Sequence, residues 1–132
     1  AKEVVKKLLA QDKNMKESRV LLMGVTFKEN VSDIRNSKVV DIITELNSYG
    51  VKQIDAIDPF ADSDEVKHEY GFTLAPQPTG KYDVIIVAVN HKKYTDLTES
   101  HFSSMAAANC IFVDVKGVFN KNRPKGFVYW SL

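Results

Sequence analysis

RVLLMGVTFKENVSDIRNS, Arg19 to Ser37, sets the frame for everything around it. Its opening, RVLLMG, is a short apolar run bounded by polar residues, which predicts a strand. After Ser37 the apolar residues recur at helical spacing, at Val39, Ile42, Ile43, Leu46 and Tyr49. GVTFKENVSDIRNS, Gly24 to Ser37, is therefore a loop that leaves the carboxyl end of a strand and enters a helix. Ligands of open α/β sheets bind at such strand ends, and the unpaired N–H groups of a helix start favour anions. Lys28 and Arg35 add two full positive charges there, and Asn36 or Ser37 is placed to cap the helix.

Outward from that loop, helices and strands alternate. AKEVVKKLLAQDKN at the start reads as the trailing turns of a helix, and the helix from about Lys38 to Tyr49 stops at Gly50. QIDAID, Gln53 to Asp58, is a second strand ended by Pro59; a short charged helix over Asp62 to Tyr70 closes at Gly71. FTLAP is read as a brief third strand and PQPTG, Pro76 to Gly80, as a loop. DVIIVAV, Asp83 to Val89, is nearly continuous in β-branched residues, as expected of a central strand covered on both faces. HKKYTDLTESHFSSMAAAN holds a loop and a helix with Phe102, Met105 and Ala106 turned inward; CIFVDV is another buried strand, and GFVYWS a last one at an edge. The alternation predicts an α/β fold of the Rossmann-like, doubly wound kind, a mainly parallel sheet with helices on both faces.

In a parallel sheet the loops after Gly24, Asp58, Val89 and Val115 share one rim. They deliver Lys28 and Arg35, then Asp58, then Asn90 and His91, then Lys116. Two or three cations around one crevice suit a diphosphate or a carboxylate better than an apolar ligand. Each has a plainer reading: Lys28 as a solvated lysine, Arg35 as a partner of Asp33 or a helix cap, Asp33 as a loop-ordering acceptor, His91 as a solvated loop histidine.

The remaining composition narrows the classes. At 132 residues, with 44% hydrophobic and 27% charged residues, the chain fits one globular α/β unit. A net charge of +1 gives no reason to expect nucleic-acid or membrane binding, and no apolar run approaches a membrane span. With no signal-peptide pattern the expected compartment is the cytoplasm. Cys110, the single cysteine, leads an apolar run and reads as a buried strand thiol rather than a nucleophile. His68, His91 and His101 lack metal-ligand spacing, so no metal site is expected. No GxGxxG follows any strand, and Gly24 stands alone in its loop.

Three motifs resemble one family. Gly24, Phe27, Lys28, Asp33, Arg35 and Ser37 fill a pattern of glycine, aromatic and lysine, then D-x-R-x-(S/T) opening a helix. DPFA, Asp58 to Ala61, closes the second strand, and DVKG, Asp114 to Gly117, ends a later one. In these the chain resembles the C-terminal domain of the UDP-glucose/GDP-mannose dehydrogenases, over roughly residues 18 to 132.

The resemblance implies an NAD-dependent oxidation of a UDP-sugar's C6 alcohol to a uronic acid for polysaccharide precursors, with two NAD reduced and a cysteine thiolate capturing the aldehyde. That cysteine, and most of the NAD site, belong to an N-terminal domain and a helical middle that this chain lacks, so no residue here is expected to be catalytic. Residues 1–17 are expected to be the end of an inter-domain helix and 18–132 the nucleotide-sugar-binding domain, an excised and by itself inactive unit. By resemblance Phe27, Lys28 and Lys116 contact the nucleotide sugar, and Arg35 reaches the dinucleotide pyrophosphate. Some family members carry arginine where Lys116 stands; the lysine keeps the charge, loses the bidentate fork and looks like the branch acting on UDP-N-acetylhexosamines. The full-length protein is expected to be a homodimer or larger. A free-standing nucleotide-binding or regulatory module is the alternative. A phosphoacceptor signalling domain needs an acidic pair after the first strand, where Val25 and Thr26 stand.

Overall fold

The computed structural model describes residues 2–26, 28–35 and 37–131. Its elements run α1 (Lys2–Ala10), β1 (Arg19–Met23), α2 (Val39–Ser48), β2 (Gln53–Ile57), α3 (Ser63–Tyr70), β3 (Tyr82–Val87), α4 (Lys92–Thr95), α5 (Glu99–Ser104), β4 (Ala106–Asp114) and β5 (Val128–Ser131). The five strands form one sheet in the order β2-β1-β3-β4-β5, and every neighbouring pair is parallel. This is a doubly wound order whose direction of winding reverses between β1 and β3.

The strands at the centre are apolar over their buried residues because both faces are covered, and successive residues serve different layers. Val20, Leu22, Val84, Ile86, Ile111 and Val113 pack in one core with Val4 and Leu8 of α1, Leu46 of α2 and Val66 of α3. Leu21, Met23, Ile85, Val87, Cys110 and Phe112 face the other core, with Tyr94, Phe102 and Met105. Each large side chain so enclosed contributes about 2 kcal/mol of transfer free energy. The alternation breaks once: the register shifts between Tyr82 and Val84, opposite a segment of β4 in which Asn109 is left-handed at φ 58°.

Two expectations change. FTLAP forms no strand; Ala75 N–H donates to Ala56 O at 2.8 Å beside β2, and the pairing ends there. Pro76 and Pro78 follow, and a proline has no N–H to extend a ladder. At the start of α2 the boundary residue is Lys38, without a side-chain cap, while the Ser37 hydroxyl accepts from Val39 N–H at 3.3 Å. Asn36 lies outside the described residues.

Candidate functional site

Because all five strands are parallel, the loops after β1, β2, β3 and β4 do emerge on one rim. β1 lies between β2 and β3, so the loop carrying Lys28 has the Asp58 loop on one side and the His91 loop on the other. β4 is two strands from β1, which sets the strand ends bearing Lys28 and Lys116 about 10 Å apart. Both lysines are exposed, and neither ammonium pairs with an acid among the described residues. Phe27 lies outside the described residues.

A buried carboxylate organises this rim. The Asp58 side chain is fully enclosed, yet its Oδ2 accepts from Val25 N–H at 2.8 Å and Thr26 N–H at 3.2 Å, and its Oδ1 from Phe60 N–H at 2.7 Å and Ala61 N–H at 3.0 Å. His91 Nε2 lies 2.9 Å from the same Oδ2. Burial pushes the Asp58 carboxyl up, but the hydrogen bonds from His91 and from the Val25 and Phe60 amides outweigh it and leave the group below its ordinary value. A carboxylate at a strand end thus fixes the start of the Lys28 loop and the turn after β2.

His91 corrects the sequence reading. It is not a solvated loop histidine: it is wholly buried, with the Phe60 ring centroid 4.8 Å and the Tyr94 centroid 5.6 Å away. Its Nδ1 accepts from Asn30 N–H at 2.8 Å, and Thr26 Oγ1 stands 3.1 Å from Nε2. The residue types of Asn30 and Thr26 carry no cue to this role in the sequence. The cue that existed was positional, since Asp58 and His91 both follow strand ends that are neighbours of β1.

Arg35 pairs with Asp33. Its Nε and one terminal nitrogen each donate to a different oxygen of Asp33 at 3.1 Å, and its backbone N–H donates to Asp33 Oδ1 at 2.9 Å. Asp33 therefore orders the loop, as expected, and the hydrogen bonds from Arg35 hold its carboxyl below the usual range. The guanidinium is exposed, and this pairing engages two of its five N–H donors. The Lys116 loop has its own organiser: buried Asp114 accepts from Val118 and Phe119 N–H at 3.1 and 2.8 Å, and from the Tyr129 hydroxyl. An aspartate inside the apolar run CIFVDV was the sequence signal for it.

The fit of a dinucleotide can be tested at Gly24. Gly24 has φ 102°, and a Cβ there would come within 2.6 Å of Val89 Cβ. The glycine serves close packing of β1 against the segment after β3, not the approach of a pyrophosphate, and no second glycine follows in the loop. The turn after β1 is therefore not a glycine-rich pyrophosphate turn of the dinucleotide-binding kind. A 260 Å³ cleft beside the β2 strand end, walled by Met23, Ile57, Asp58, Pro76, Tyr94 and Leu97, includes neither Lys28 nor Lys116. Cys110 is 1% exposed, and desolvation pushes its thiol up to about 12, as expected of a structural thiol.

Fold and rim together define a doubly wound α/β domain with a cationic strand-end rim, the class that holds nucleotide-like anions. The chain belongs to the UDP-glucose/GDP-mannose dehydrogenase family: the model of that family's UDP binding domain matches residues 21–121. It is 38% identical over 122 residues to UDP-N-acetyl-D-glucosamine 6-dehydrogenase of Pseudomonas aeruginosa, covering 92% of this chain and 29% of that protein. It is 36% identical to protein CapL of Staphylococcus aureus, covering 92% of this chain and 28% of that one. The chain thus spans under a third of the length of these relatives. Among solved structures, the NDP-N-acetyl-D-galactosaminuronic acid dehydrogenase of Methanosarcina mazei Go1 superposes with a TM-score of 0.78 at 23% identity, over 98% of this chain and 28% of that one. That superposition confirms the fold. Among the described residues no helix is long and apolar enough to cross a membrane, and no three His, Cys, Asp or Glu side chains are grouped to hold a metal.

Proposed function

We propose that residues 18–132 are the nucleotide-sugar-binding domain of a UDP-sugar 6-dehydrogenase, and that residues 1–17 end the helix joining it to the rest of the enzyme. The whole protein would oxidise the C6 alcohol of a UDP-N-acetylhexosamine to the uronic acid with NAD, in the cytoplasm, as a homodimer or larger assembly. This unit supplies binding and positioning and no catalytic group. The observation that carries the reading is the pair of exposed ammonium groups, Lys28 and Lys116, on loops of one rim two strands apart, with no acid among the described residues paired to them. Their spacing suits an extended diphosphate-sugar, with Phe27 beside Lys28 in sequence as an apolar contact. The identities to UDP-N-acetyl-D-glucosamine 6-dehydrogenases favour an N-acetylated sugar.

NAD would be held mainly by parts of the protein outside this chain. Arg35 is the residue here that would touch it, with the donors that Asp33 leaves free directed to a pyrophosphate oxygen.

Calorimetric titration of this chain with UDP, UDP-N-acetylglucosamine, UDP-glucose and GDP-mannose tests the assignment. UDP-N-acetylglucosamine should bind most tightly, and Lys28→Ala and Lys116→Ala should each weaken it about tenfold, the worth of one charge-assisted hydrogen bond. Unchanged affinity in both variants sinks the rim as the binding site.

A further inference from the structure

The loop that carries Lys28 is gripped from inside the domain at two points by one ring. His91 Nδ1 accepts from the backbone N–H of Asn30 at 2.8 Å, so the ring's proton in the neutral form sits on Nε2. That proton faces Asp58 Oδ2 at 2.9 Å and Thr26 Oγ1 at 3.1 Å. The Thr26 hydroxyl in turn donates to the carbonyl of Lys28 itself at 3.0 Å. Asn30 closes the circuit, since its Oδ1 accepts from Lys92 N–H, the residue after the histidine, at 2.9 Å. Asn30 is in the left-handed region at φ 58°, a conformation asparagine tolerates better than most residues.

We infer that His91 is a positioning residue for Lys28: the two nitrogens of one buried imidazole engage residues 26 and 30, which flank the lysine, and Asp58 orients the ring. The inference rests on the reading of Lys28 as an anion contact. Without the ring, Asn30 N–H and Thr26 Oγ1 would each lose a partner, leaving Asp58 on the Thr26 N–H and Lys92 N–H on the Asn30 side chain, and the exposed ammonium between them would sample more positions. Binding would then cost the ordering entropy that the folded domain has already met.

The test combines UDP affinity with amide exchange on this same chain. His91→Phe keeps a ring against Phe60 and Tyr94 but removes both nitrogens; His91→Asn keeps a short acceptor near the Nδ1 position and is read in the same way should the phenylalanine variant fail to fold. His91→Phe should weaken UDP about tenfold and speed exchange at the Asn30 and Lys92 amides, with His91→Asn between it and the wild type. In a Lys28→Ala background the histidine change should leave UDP affinity unaltered, because its effect passes through the lysine. Independent losses from the two positions, or unaltered exchange at Asn30, overturn the inference. If UDP does not bind the wild-type chain, or binds Lys28→Ala equally well, the reading of Lys28 fails; the exchange data alone then decide whether His91 holds the loop.

Discussion

Asp58 is buried and still prefers its charge because hydrogen-bond donors from three segments converge on it. Its folded carboxyl titrates below the ordinary 3.8, so its contribution to stability is complete at neutral pH and is lost as pH falls through the folded value. Denaturant midpoints should hold steady from neutral pH to about 5 and decline below about 4, the range in which an unfolded aspartate protonates. In Asp58→Asn the acid decline should be smaller, and stability at neutral pH lower by about 3 kcal/mol, since the new NH2 meets N–H groups that need an acceptor. An undiminished acid decline in that variant would place its source elsewhere.

At the scale of one element, α3 shows how a weakly apolar helix is made to form. Only Val66 is buried in it, so its ends carry unusual weight. The Asp62 carboxylate accepts from Asp64 and Glu65 N–H at 2.9 and 3.0 Å, and Gly71 closes the helix in the left-handed region at φ 83° with its N–H on Lys67 O. The helix matters to the rim because the hydroxyl of Tyr70, its last residue, donates to the carbonyl of Ile34 in the Lys28 loop. Asp62→Ala should cost about 1 kcal/mol, a fall of roughly 3 °C in Tm for a domain of this size, with UDP affinity little changed. A fall in affinity greater than the stability loss would mean that the Tyr70 contact orders the loop more strongly than the His91 ring does.

For the molecule as a whole, the sheet makes Cys110 a reporter of global opening. It lies in β4, between β3 and β5, facing the core that contains Phe112 and Phe102. Desolvation raises its thiol to about 12, so the native thiol stays protonated at neutral pH. Alkylation by iodoacetamide should therefore be negligible in the native state and should rise with denaturant along the same curve as the loss of circular dichroism. Labelling well before that transition would reveal a local opening of the α4–α5 layer.

Strand and helix placement was legible because it follows from local periodicity. The apolar runs at Arg19, Asp83 and Cys110, the helical spacing from Val39, and Gly50 and Gly71 as stops all correspond to elements of the structure. FTLAP failed as a strand because its own last residue, Pro76, and Pro78 just beyond it lack the N–H groups that would carry the pairing past Ala75. The charges of the rim, Lys28, Arg35 and Lys116, were equally visible, since an exposed cation on a loop needs no partner to be recognised. The interior support of that rim was not visible. Asp58, His91, Thr26 and Asn30 lie up to 65 residues apart and are joined only when parallel β1, β2 and β3 bring their carboxyl ends side by side. Side-chain types along a chain carry charge and apolarity, which are local properties. Whether a histidine is solvated or enclosed depends on which strands become neighbours, and that is decided by the packing of the whole sheet.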